Sequence, residues 1–179
     1  MKGIVFTEFL TMIEQQHGYD LVDELLVESD LPSGGIYTAV GTYAHSEMVT
    51  LVSGLSQKTQ TPLPNLLKAF GRYLFGTFKK GYPAFLSAAG NAFDFLESIE
   101  KYIHVEVRKL YPDAELPRFQ TRVIDEKTLE MIYHSDRRMA DFAEGLIESS
   151  LEHYNEPAEI QREDVERDGS EVRFLICKK

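Results

Sequence analysis

Residues 133–137 read YHSDR, which places Tyr133, Ser135 and Arg137 two residues apart. In an extended segment alternate side chains share a face, so two hydroxyls and a guanidinium point one way, with His134 and Asp136 on the other. Such a face is a set of hydrogen-bond donors, and its natural guest is a carboxylate or phosphate gripped by the arginine fork. A polar strand end facing water has the same pattern. The second candidate is His104, within GNAFDFLESIEKYIHVEVRKLYP. In helical projection Ile99, Ile103 and Val107 form an apolar ridge, with Phe93, Leu96 and Tyr111 nearby. His104 flanks that ridge, away from the polar side of Lys101, Glu106 and Lys109. A half-buried imidazole in this place is either a core histidine with a hydrogen-bond partner or a lone metal ligand. The metal most content with one protein ligand is haem iron, and haem carries propionates of the kind the YHSDR face would hold.

Other chemistry lacks its signatures. The histidines His17, His45, His104, His134 and His153 show no HExxH or other helical metal spacing. There is no GxSxG elbow, no Walker loop and no Rossmann glycine pattern. Cys177 is the single cysteine, which excludes an intrachain disulfide and a cysteine-rich zinc site and leaves either a strand residue or a redox-sensitive thiol. A net charge of −10 argues against general nucleic-acid binding and against docking on anionic membranes. The start, MKGIVFTEFL, is a poor signal peptide, and no run approaches the roughly 18 apolar residues of a membrane span. A cytoplasmic protein is the expectation. With 179 residues, 43% of them hydrophobic, the chain is long enough for one domain with a real core.

The elements that must position these residues fall into two parts. Residues 1 to about 112 read as helices. Val5, Phe6, Phe9, Met12 and Ile13 make the first apolar stripe, with Gly18 after it, and a second helix covers about 20–28 with Asp20 as its cap. Residues 31–41, with Pro32, Gly34 and Gly35, read as a loop. Further helices are expected over about 46–57, from Thr61–Pro62 to Gly81, after Pro83, and in one long run from Asn91 or Asp94 to Tyr111. Residues 113–179 change character: RFQTRVID and KTLEMIYH form a hairpin, 138–154 a helix, and AEIQREDVERDGSEVRFLIC a second hairpin turning at Asp168–Gly169. The expected class is α+β, a helical subdomain followed by a four-stranded antiparallel sheet with a packed helix.

With these residues in view, the chain resembles a bacterial haem nitric oxide/oxygen-binding (H-NOX) domain, the family that includes the haem domain of soluble guanylate cyclase. The YxSxR motif stands as Tyr133, Ser135 and Arg137, the proximal histidine as His104, and LPRF supplies Pro117 as the proline against the haem face. KAFGRYLFGTF around Gly71, EGLIESS, and the full-length layout from MKGIVFTEF onward add to the match. The resemblance implies a non-covalent b-type haem between helices and sheet, iron on His104, and propionates on the YxSxR face. Candidates for the distal wall are Val5, Phe9, Leu74, Phe78, Phe142 and Leu146.

In oxygen-binding members of the family a distal tyrosine donates to bound dioxygen, and its place here is Phe142. The resemblance therefore implies a sensor that takes nitric oxide and carbon monoxide but discriminates against oxygen, unless Tyr73 or another donor enters the pocket. It implies a separate partner, a histidine kinase or a cyclic di-GMP enzyme, and no catalysis by the chain itself. Two rival classes stay open: a haem enzyme or nitric oxide-consuming protein, and a non-haem module for a carboxylated lipid or other acid.

Overall fold

Hydrophobic periodicity of helical type over the first part, and of strand type over the second, is what the architecture follows. The computed structural model describes residues 1–179. Helix α1 (Gly3–His17) buries Phe6, Phe9, Met12 and Ile13 along one face. Gly18, at φ 88°, ends it and caps α2 (Tyr19–Glu28), a backbone conformation that glycine adopts without a Cβ clash. Asp20 thus lies inside the first turn of α2 and is not its cap. After a loop comes α3 (His45–Thr59), then α4 (Leu63–Gly81), whose cap is Pro62 and whose first turn holds Pro64. The short α5 (Pro83–Ser87) follows. No helix is long and apolar enough to cross a membrane.

Helix α6 (Ala92–Ser98) is capped by Asn91, whose side chain accepts the Asp94 N–H at 3.0 Å. The helix expected to run unbroken to Tyr111 is interrupted. Ile99–Ile103 forms a π-turn in which the N–H of His104 reaches back five residues to the carbonyl of Ile99. Helix α7 (His104–Leu110) resumes at the histidine itself. An extra residue in one turn re-aims every side chain that follows, which is why π-turns gather at functional sites.

The two hairpins form one sheet. Strands β1 (Arg118–Asp125), β2 (Thr128–His134), β3 (Ala158–Asp164) and β4 (Glu171–Lys178) run in the order β1-β2-β4-β3, every neighbour antiparallel. Leu129, Met131 and Tyr133 alternate inward on β2, as do Val172, Phe174 and Ile176 on β4. Helix α8 (Ala140–His153) covers that face and shares its core through Ala143, Ile147 and Leu151. A second core, built on α1 to α4, contains Phe6, Phe9, Leu25, Leu51 and Phe70. The chain is α+β as expected, helices followed by a four-stranded antiparallel sheet.

The two cores meet where α4 crosses α8. A Cβ on Gly71 would lie 2.2 Å from the carbonyl oxygen of Phe142, and one on Gly145 would lie 2.1 Å from that of Lys68. The crossing is therefore backbone against backbone, a spacing only glycine permits. Ion pairs from Lys68 to Glu144 and from Arg72 to Glu148 and Glu152 flank it. This close approach seats Phe142 and Leu146 of α8 directly beside Gly71 of α4.

Candidate functional site

A cavity of about 320 Å³ lies between the helical part and the sheet, and its walls are mostly apolar. They come from the start of α1 (Ile4, Val5), from α4 and α5 (Leu74, Phe75, Phe78, Phe85, Leu86), and from the α6–α7 run (Phe95, Leu96, Ile99, Ile103, Val107). The connector residues Leu116 and Pro117, strand residues Phe119 and Met131, and the α8 residues Phe142, Ala143, Leu146 and Ile147 complete it. His104, Tyr133, Ser135 and Arg137 line the same cavity. Of the residues assigned to the haem site from the sequence, only Phe9 is absent from it. Phe9 is fully buried in the helical core, its ring edge-on to Phe70 at 5.1 Å.

His104 is 9% exposed. Its Nδ1 stands 3.0 Å from Oε2 of Glu100, and a carboxylate only accepts, so Nδ1 carries the proton. Burial pushes the pKa of His104 down, outweighing the pull of Glu100 in the other direction, so the ring is held neutral. Burial alone would raise the pKa of Glu100, but the hydrogen bonds from His104 and the Phe119 N–H, with Arg108 nearby, bring it below its ordinary value. The result is a neutral imidazole seated on an anion. Its Nε2 has no partner in the protein and keeps a lone pair, the form in which histidine binds a metal.

The YxSxR residues converge by a different route from simple alternation. Strand β2 ends at His134, and residues 135–137 leave the strand and enter a turn. The Arg137 N–H donates to Ser135 Oγ at 3.2 Å, the Ser135 N–H donates to the Ser170 carbonyl at 2.9 Å, and the Met139 N–H donates to the Tyr133 hydroxyl at 2.9 Å. Arg138 adopts φ 54° and swings out to Asp168 at 2.8 Å. Arg137 points to the cavity mouth, where Nη1 donates to the Glu115 carbonyl at 2.7 Å and Nη2 to its carboxylate at 2.8 Å. The Arg137 carbonyl accepts His45 Nε2–H at 3.1 Å, which pins the turn to α3. Burial raises the pKa of Tyr133, so its hydroxyl stays a neutral donor.

This donor set fits haem: an apolar slot, one buried neutral imidazole with a free nitrogen, and hydroxyl and guanidinium donors at the mouth for propionates. The hydroxyls deeper in the cavity are few. Ser150 spends its proton on the Leu146 carbonyl at 2.7 Å. Tyr73, suspected from the sequence, packs on the helical core beside Glu8 and Gln15 and does not line the cavity. Tyr82 does line it, at the α4–α5 junction, 42% exposed. Glu100, Glu115 and Tyr82 escaped the sequence reading. For Glu100 a signal existed, a carboxylate four residues before the histidine on a helical segment.

Comparison with known proteins agrees with this geometry. The family model described as "Haem-NO-binding" matches residues 2–162. The structure of the Fe(II) unliganded H-NOX protein from K. algicida is 44% identical, covers 100% of this chain and 97% of its own, and superposes with a TM-score of 0.96. An H-NOX protein from S. oneidensis in the Fe(II)NO ligation state is 27% identical, covers 100% of this chain and 99% of its own, and has a TM-score of 0.92. Soluble guanylate cyclase 89Db of Drosophila melanogaster is 27% identical over 139 residues, 76% of this chain, which spans about 20% of that relative's length. The chain belongs to the haem-NO-binding (H-NOX) family, whose members are haem gas-sensor domains and not catalysts.

Proposed function

We propose that the chain is a nitric oxide sensor that discriminates against oxygen and signals to a separate partner protein, using a non-covalent b-type haem. One observation carries the reading: a single buried histidine with a free Nε2 lines a cavity whose walls are mostly apolar, with Phe142 among them at the position where the resemblance would put an oxygen-binding tyrosine. His104 would hold the iron, Tyr133, Ser135 and Arg137 the propionates, and Pro117 a face of the ring. Val5, Leu74, Phe78, Phe142 and Leu146 would exclude water from the gas ligand. Haem held there would supply a ferrous centre able to take nitric oxide or carbon monoxide, and nitric oxide would loosen the hold of His104 on the iron.

The chain's own part is to turn a change at one nitrogen into a change of shape. Helix α7 begins at His104, directly after the π-turn, so it has a built-in pivot at its start. Its far end leads through residues 111–117 to β1, and Arg137 grips Glu115 within that connector. A shift of α7 therefore pulls on Pro117 and on the Arg137 clamp together, and biases a two-state surface that a partner can read. A histidine kinase or a cyclic di-GMP enzyme is the expected partner. A haem enzyme would need a distal acid–base group, and Val5, Leu74, Phe78, Phe142 and Leu146 offer none.

An absorbance spectrum of the purified ferrous protein, in air and with nitric oxide, tests the reading. It should show an intense Soret band that shifts with nitric oxide and carbon monoxide and stays unchanged in air. Absence of any Soret band would instead favour a site for a carboxylated lipid, which the apolar slot and Arg137 would also suit.

The clamp has its own test. Arg137→Ala should lose haem faster than Arg138→Ala, because Arg137 faces the cavity and Arg138 is turned out to Asp168. Glu115 is 84% exposed, so freeing its carboxylate costs little. A charge-assisted hydrogen bond is worth about 1.5–3 kcal/mol, so haem transfer to an acceptor protein should quicken roughly ten- to a hundredfold. Equal rates for the two variants would remove Arg137 from the propionate site.

A further inference from the structure

The contact between Glu100 and His104 does more than close a turn of helix. Oε2 of Glu100 lies 3.0 Å from His104 Nδ1 and also accepts the backbone N–H of Phe119 at 3.3 Å, while Oε1 lies 3.5 Å from Nη2 of Arg108. The carboxylate thus ties the start of α7 to the start of β1. The Phe119 ring, 5.9 Å from the imidazole, lies against it on the sheet side. An ordinary exposed pair four residues apart on a helix is worth a few tenths of a kcal/mol and is free to rotate away. This one is anchored to the backbone of another element, and its histidine is buried.

We propose that Glu100 is a positioning residue for the iron ligand. It fixes the tautomer and ring plane of His104 relative to the sheet. As an anion on Nδ1–H it also makes Nε2 a stronger donor, and so sets how readily histidine lets go of iron when nitric oxide binds. The inference rests on the reading of the cavity as a haem site.

The mechanism separates charge from geometry. Glu100→Gln keeps an acceptor of the same length for Nδ1–H and for the Phe119 N–H but removes the negative charge. Glu100→Ala removes both. Loss of the charge should weaken the iron–histidine bond, lowering its stretching frequency in the ferrous, ligand-free protein and raising the midpoint potential, since the ferric form loses the nearby anion. Glu100→Ala should go further in frequency and lose haem roughly ten- to a hundredfold faster than wild type, the usual cost of removing such a support.

The experiment is resonance Raman spectroscopy and redox titration of haem-loaded wild type, Glu100→Gln and Glu100→Ala, with circular dichroism to verify folding. Stepwise falls in frequency with a raised potential in Glu100→Gln support the proposal. Wild-type frequency and potential in a folded, haem-loaded Glu100→Gln overturn it and leave the haem reading intact. A wild-type protein that takes up no haem overturns both. Should Glu100→Ala fail to fold, the comparison of wild type with Glu100→Gln decides alone.

Discussion

Replacing His104 by glycine should abolish the bond between protein and iron, and added imidazole should restore it. His104 is the only histidine on the cavity wall. His17 is exposed, His45 is engaged with the Arg137 carbonyl, His134 lies against Glu171, and His153 packs beside Phe75 and Tyr154. None of these four lines the cavity. Glycine at the first position of α7 costs about 1 kcal/mol in helix propensity, a small part of a domain's stability, so the variant should fold. The truncated side chain leaves a hole of imidazole shape that opens on the cavity, with the Glu100 carboxylate still in place to receive an N–H. Free imidazole, neutral at pH 8, should occupy it and return a histidine-like ferrous spectrum. The measurement is the ferrous absorbance of His104→Gly with and without millimolar imidazole. An unaltered wild-type spectrum without imidazole would show that the iron is held elsewhere.

The helical and strand periods carried the architecture because burial on one face of each element is a local property of sequence. The His104 ridge and the two hairpins were legible for the same reason, while Tyr133, Ser135 and Arg137 stand out by residue type and spacing and take their role from the family resemblance. Three features were not. The π-turn at Ile99–Ile103 has no periodic signature, since five residues make little more than one turn and are too few to display a period of their own. Tyr133, Ser135 and Arg137 meet at the cavity because the chain turns after His134, where alternation would have assigned the grouping to a strand. Phe9 illustrates the third limit. It is on the same face of α1 as Val5, one turn further on, and yet only Val5 reaches the cavity. A turn of helix advances about 5–6 Å, and spacing along one helix cannot say where a pocket formed by other elements ends.

The position of Phe142 can be checked by giving its ring the hydroxyl it lacks. Phe142 lines the cavity with its ring 5.1 Å from Phe70, and its carbonyl abuts Gly71, so its backbone has little freedom to retreat. Wild-type ferrous protein should bind nitric oxide and carbon monoxide and form no lasting complex with oxygen in air. Dioxygen takes on negative charge when it binds ferrous haem, so a donor beside it counts. Nitric oxide and carbon monoxide gather far less charge. In Phe142→Tyr the new hydroxyl should add about 1.5–3 kcal/mol to oxygen binding, roughly ten- to a hundredfold in affinity. Nitric oxide binding should change little. Without its ligand the added hydroxyl is a buried polar group, which costs about 1–3 kcal/mol when unpaired, so the variant should also melt at a lower temperature in the ligand-free state. The test is to expose reduced, ligand-free wild type and variant to air and follow the visible bands. A persistent oxygen complex in the wild type would mean that a donor already reaches the gas. Tyr82 is the residue to replace next, because it lines the same cavity where Tyr73 does not. Loss of that complex in Tyr82→Phe would then move the determinant of gas choice from α8 to the α4–α5 junction.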